Sequence, residues 1–310
     1  MRFLKPWLLS VFLGLFCLPN YGQTEGNIIM DELEIVGEIN SKKAWPKGSE
    51  TRLTDVVHVK LNLSFDTEQA TMNGEAELYC TPYFKPIDTV ELYAQSFDIN
   101  KVSIWDKAIW SDLEYRYDGT KLKIALETTK TKKDTFKLFV SYKANPEKVL
   151  AEGGSAINDA KGLYFINGKN EEGGFMPQFW TQGEPESNSA WFPVVDKPNE
   201  KITHEIAMTV DSSWITLSNG SIEFTTANGD GTRTDYWKMD QAHPPYLTMI
   251  AAGDFAKAIQ SYTKKSGEEI PIEHLVEKEY ANHAEVIVVH DSENGAEYVY
   301  GMKEVLSTFK

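Results

Sequence analysis

His204-Glu205-Ile206-Ala207-Met208 falls one residue short of H-E-x-x-H, the pattern in which two histidines hold a zinc ion and the glutamate acts as general base. That chemistry needs a helix, where positions i and i+4 lie about 6 Å apart and share one ion; on a strand they are about 13 Å apart. Here Ile202, His204, Ile206, Met208 and Val210 alternate with Thr203, Glu205, Ala207 and Thr209. This is strand periodicity, so His204 is expected to be a half-buried sheet residue and not a metal ligand. His58 and His243 sit in similar strand and turn contexts. His274, His283 and His290 fall close together in sequence, with no cysteine or paired-carboxylate spacing to complete a site. There is no G-x-S-x-G elbow, P-loop or dinucleotide fingerprint. On these residues alone the chain has no catalytic centre: catalytic residues none, metal ligands none, and no tight zinc binding or peptidase activity is expected of it.

The elements that would carry any site read as strands. Alternation marks His58 to Phe65, Gly74 to Cys80, Thr89 to Tyr93, Lys121 to Leu126 and Phe136 to Tyr142. Asp118-Gly119 is a hairpin signal, and Asn228-Gly-Asp-Gly231 separates the strand-like runs Ser221 to Thr226 and Asp235 to Met239. The expected fold class is mainly β, an antiparallel β-sandwich or saddle domain over residues 51–258, followed over 259–310 by the incomplete beginning of an α/β catalytic domain. In that last part Glu285 to His290 reads as a strand. Asp291 or Ser292 can cap a helix whose Tyr298, Val299, Met302, Val305, Leu306 and Phe309 recur at helical spacing. The apolar helical face is still running at Lys310, which leads us to expect a chain cut inside the first helix of a further domain.

Composition narrows the partners. A net charge of −15 on 310 residues argues against nucleic acid and against an anionic lipid surface. Residues 1–22 have the form of a signal peptide: Arg2 and Lys5 precede the apolar run Trp7 to Leu18, and Gly22 is a small residue before a cleavage point at Gln23. Lipidation at Cys17 is the rival, but Phe16 stands where a lipobox wants a small residue. Export to the periplasm or outside the cell is expected, with a polar leader over 23–50 and no membrane span after signal removal. Cys80 is then the only cysteine, so no intrachain disulfide can form.

One stretch remains unexplained, Thr181 to Lys201, TQGEPESNSAWFPVVDKPNEK, too stiff for a linker and too polar for core. TQGEP, then WFPVVDKPNEKITHEIAMTV, then LSNG at 217–220, then HPPYLTMIAAGDF at 243–255 resemble, in order and spacing, the N-terminal β-domain of the zinc aminopeptidases that include aminopeptidase N and leukotriene hydrolase. The likeness extends back through TRLTDVVHVKLNLSFD at 51–66 and the Gly74-Glu-Ala-Glu-Leu run, and forward through 292–310. It implies that the Gln-x-Glu loop enters the active-site cleft of the following domain, which makes Gln182 and Glu184 the substrate-binding residues. A carboxylate at the closed end of a cleft pairs with the α-ammonium of a peptide, a charge-assisted hydrogen bond that only a free N-terminus makes.

The resemblance further implies that peptide N-termini and the chain's own downstream catalytic domain are the partners. It also implies a zinc cofactor in the full-length protein, with its ligands beyond Lys310. Ser189, Ala190 and Val194 depart from the arginine and Phe-Pro-Cys common in the family, so those contacts do not carry over. Aiming Gln182 and Glu184 at one cleft requires a sharp turn after Glu184. The next residue is Pro185, where a cis bond costs only about 0.5–1 kcal/mol, so a cis Glu184-Pro185 bond is expected, with Phe192, Pro193 and Pro198 bracing the loop. Two readings from other classes stand beside this one. The first is a stand-alone module binding peptide or protein partners without catalysis. The second is an exported sandwich using its eight tryptophans to stack on sugars, although Trp180 and Trp191 flank the loop and Trp214 and Trp237 sit in strand contexts that favour core packing.

Overall fold

The computed structural model describes residues 51–106, 108–149, 160–171, 175–278, 281, 287–290 and 297–300. The principal sheet has eight strands, and its middle is built from β1 (Thr54–Asp66), β2 (Thr71–Pro82), β8 (Phe136–Ala144), β11 (Ile202–Asp211) and β14 (Thr232–His243). Their alternation buries one face: Val59, Leu61 and Leu63 on β1, Phe136, Leu138, Val140 and Tyr142 on β8, and Ile202, Ile206, Met208 and Val210 on β11 all belong to a single hydrophobic cluster. A three-stranded sheet, β3 (Ile87–Tyr93), β7 (Lys121–Lys130) and β6 (Tyr115–Tyr117), contributes Val90, Leu92, Leu122 and Ile124 to that cluster. A four-stranded sheet, β12 (Ile215–Ser218), β15 (Ile250–Gly253), β10 (Gln178–Thr181) and β9 (Leu163–Ile166), contributes Leu163, Phe179 and Ile250. The mainly β class with several antiparallel sheets is as expected, and Gly119 and Gly229 take the positive φ that their hairpin turns require.

The structure corrects the sequence reading at several points. The pairing is not antiparallel throughout, because β1 and β11 run parallel, His58 opposite Thr203 and Leu63 opposite Met208. These strands lie far apart in sequence, and no local turn signal sets their direction. His204 is fully buried, not half-buried: it shares the core face with Ile206 and Met208. The helix expected from 292 meets a strand over Glu297–Tyr300, which pairs antiparallel with Ile287–His290. Glu-Tyr-Val-Tyr is rich in aromatic and β-branched residues, and four residues are too few for helical periodicity to outweigh that preference. The remainder of that stretch, like residues 1–50, lies outside the described residues. Among the described residues no helix is long and apolar enough to cross a membrane.

Candidate functional site

Gln182 and Glu184 leave the end of β10, a strand anchored by Phe179, whose buried ring stacks on Phe65 with centroids 4.0 Å apart. The chain stays pinned after the strand ends. Gln182 N–H donates to the Gly162 carbonyl at 2.9 Å, and Ser187 N–H closes back onto the Gly183 carbonyl at 2.8 Å. Within that closed turn the Glu184-Pro185 bond is cis, as expected from the sequence. Gly183 is buried while Glu184 is exposed and Gln182 half-buried, so the turn presents the carboxylate outward from a packed base. Gly183 has no room for a side chain: a Cβ there would lie 2.2 Å from the Tyr246 carbonyl oxygen and 2.7 Å from Asn188 Oδ1.

The base is polar, and it was missed in the sequence. Asn188, fully buried, donates from Nδ2 to the carbonyls of Pro245 at 2.6 Å and Thr248 at 2.8 Å, and accepts the Trp191 indole N–H at 2.8 Å. Asp196 Oδ2 accepts the Ser189 N–H at 2.9 Å, and burial pushes the Asp196 carboxyl up to about 6. Gln95 holds Ser189 twice, through its backbone N–H to the Ser189 carbonyl at 2.7 Å and its amide to Oγ at 2.8 Å. Tyr142, on β8, donates its hydroxyl to the Trp191 carbonyl at 2.9 Å. Further on, Val194 bridges to Tyr93 of β3, and Glu200, buried, accepts from the Val56 N–H at 3.0 Å and from Arg52 at 2.7 Å. The only hint of this network in the sequence is that polar residues, Asn188, Ser189 and Asp196, stand on either side of the aromatic pair Trp191-Phe192.

Of the three residues expected to brace the loop, Phe192 and Pro193 are buried in it. Pro198 is exposed, because Asp196 and Glu200 on either side take the inward positions. His204 lies 5.1 Å from His243, edge to face, and neither of its ring nitrogens has a hydrogen-bond partner among the described residues. Burial, with His243 and His58 nearby, holds its pKa down to about 3. Among the described residues no group of three or more His, Cys, Asp or Glu is placed to hold a metal ion.

This arrangement of sheets has known counterparts. A model of the family described as the peptidase M1 N-terminal domain matches residues 56–247. The chain belongs to that family. The M1 domain here is 26% identical over 199 residues to leucine aminopeptidase 2 of Vanderwaltozyma polyspora, a match covering 64% of this chain and 28% of that protein. It is 24% identical over 150 residues to aminopeptidase B of Rattus norvegicus, covering 48% of this chain and 22% of the relative. Both matches span less than a third of the relatives' own length. Among solved structures, an M1 zinc metallopeptidase mutant from Deinococcus radiodurans bound to a Tyr-Ser-Ala substrate superposes with a TM-score of 0.61 at 17% identity, covering 73% of this chain and 48% of that one. Legionella pneumophila aminopeptidase A in complex with aspartic acid superposes with a TM-score of 0.61 at 19% identity, covering 76% and 26%. At these identities the structural likeness establishes the fold.

Proposed function

We propose that this M1 domain is the substrate-clamping N-terminal part of an exported zinc metalloaminopeptidase that removes N-terminal residues from peptides. The observation that carries the reading is the turn from Gln182 to Ser187, which lifts the Glu184 carboxylate out of a fully packed, hydrogen-bonded base. In a cleft formed with the rest of the protein, that carboxylate takes the α-ammonium of the substrate, and the neutral Gln182 amide adds a weaker hydrogen bond beside it. Selectivity for free N-termini follows, since an interior peptide nitrogen carries no charge. The relatives are named as aminopeptidases, and the solved neighbours are described with Tyr-Ser-Ala, L-arginine and aspartic acid bound, ligands that each carry an α-ammonium group. Zinc is assigned to residues outside this domain, and export rests on the signal-like residues 1–22.

The test is Glu184→Ala in the full-length protein. Removing one partner of a desolvated charge pair costs about 2–4 kcal/mol, so binding of a free amino acid should weaken by about 30- to 700-fold, with Gln182→Ala weakening it less. Unchanged binding in Glu184→Ala would return that residue to an ordinary surface loop.

A further inference from the structure

Asn188 spends its side chain on holding two distant segments together. Its Nδ2 bridges the carbonyls of Pro245 and Thr248, 57 and 60 residues further along the chain, at either end of the 3-10 turn Pro245–Leu247. Its Oδ1 takes the Trp191 indole N–H, which fixes the orientation of the amide and leaves both Nδ2 hydrogens aimed at the two carbonyls. The Gly183–Ser187 turn rests directly on this arrangement, because the Cβ absent at Gly183 would touch Asn188 Oδ1 on one side and the Tyr246 carbonyl on the other. Gly183 is therefore wedged between Asn188 and the segment that Asn188 grips, and the residue displayed next in the chain is Glu184.

We propose that Asn188 is the positioning residue of the substrate clamp. It sets where the Glu184 carboxylate stands relative to the substrate ammonium, and it does so from beneath, without touching substrate. The chemistry admits few substitutes. A carboxylate at 188 cannot donate to two carbonyls, and an alanine leaves the Thr248 carbonyl and the Trp191 indole N–H without the partner that Asn188 supplies and the Pro245 carbonyl with only the Thr248 N–H. This assignment rests on the reading of Glu184 as the ammonium ligand.

A residue that only stabilises the fold and one that aims the clamp differ in how they combine with Glu184. In the full-length protein, Asn188→Ala, Glu184→Ala and the double variant are compared for affinity toward L-arginine as probe, at a temperature where circular dichroism shows each to be folded. If Asn188 acts through Glu184, Asn188→Ala alone weakens binding at least tenfold, and the double variant binds no more weakly than Glu184→Ala. Its effect on melting temperature should be the same in both backgrounds. Unchanged affinity in Asn188→Ala, or losses that multiply in the double variant, would overturn the assignment while leaving Glu184 intact. No effect of Glu184→Ala would overturn the reading of the clamp and this assignment together. Should Asn188→Ala not fold, Trp191→Phe removes the N–H that orients the amide while keeping an aromatic ring. A loss of at least threefold is expected there in the wild-type background and none in Glu184→Ala, and equal affinity in Trp191→Phe and wild type would overturn the assignment. Asn188→Asp should fail to restore affinity, and full restoration would equally count against it.

Discussion

His204 keeps two polar ring atoms inside an apolar face, and at neutral pH the ring must stay uncharged. Its folded pKa of about 3 lies below the ordinary 6.5. Between those values the unfolded chain takes up a proton that the folded chain refuses, so stability is lost as pH falls from 6.5 toward 3, by up to about 1.4 kcal/mol per pH unit. Asp196 works in the opposite sense: its carboxyl, raised from 3.8 to about 6, favours the folded state as pH falls through that window. His204→Leu removes only the first effect. The variant should therefore melt at or above the wild-type temperature at pH 7, and its advantage should widen steadily at pH 6 and 5. A constant gap between the two melting curves would mean that His204 is not the titrating group. At the same scale lies the contrast between Glu184 and the buried polar residues behind it. The exposed carboxylate is available to a ligand, whereas Asn188, Asp196 and Glu200 are committed to the backbone groups of Thr248, Ser189 and Val56.

At the scale of elements, the site is a turn between β10 and the 3-10 turn Asn188–Ala190, and its shape depends on one close approach. Adding a single methyl at Gly183 must push the turn away from Tyr246 or push Asn188 aside. Gly183→Ala is expected to lose about 1–3 kcal/mol, the scale of an overpacked interior, and in the full-length protein to weaken amino-acid binding beyond what its melting temperature explains. Equal binding per folded molecule would show that the turn tolerates a shift without moving Glu184. The strands themselves followed their alternation wherever one face met the core, as in β8 and β11. Alternation failed at the edges: β13 (Ser221–Ala227) is exposed along its whole length, and its hairpin with β14 was legible only from the Asn-Gly-Asp-Gly turn. β9, β10, β12 and β15, four residues each, are too short to show a period, yet they form the sheet from which the Gln182–Ser187 turn leaves.

At the scale of the whole molecule, one cluster joins the three largest sheets, with Trp191, Phe192 and Phe179 among its largest fully buried side chains. Cys80 lies inside that cluster, and burial raises its thiol well above the ordinary range, so thiolate is scarce in the native state. Peptide mapping after exposure to an alkylating reagent should find Cys80 unmodified in the native protein and fully modified once denaturant is added. Rapid native modification would place Cys80 outside the core and undo this account of how the sheets meet.

The β class, most of the principal strands, the Glu184-Pro185 geometry and the likeness to zinc aminopeptidases were all legible in the chain itself. Each is set by neighbours close in sequence: alternating side chains, Gly and Pro at turns, a motif read in order. What the tertiary structure decided involves partners far apart in sequence. The parallel union of β1 with β11 and the full burial of His204 belong there. So does the Asn188 amide that reaches Pro245 and Thr248. A polar residue in a loop looks the same in sequence whether it faces water or spends every hydrogen bond in the core. Only the packing of segments dozens of residues apart removes the water and makes those bonds obligatory.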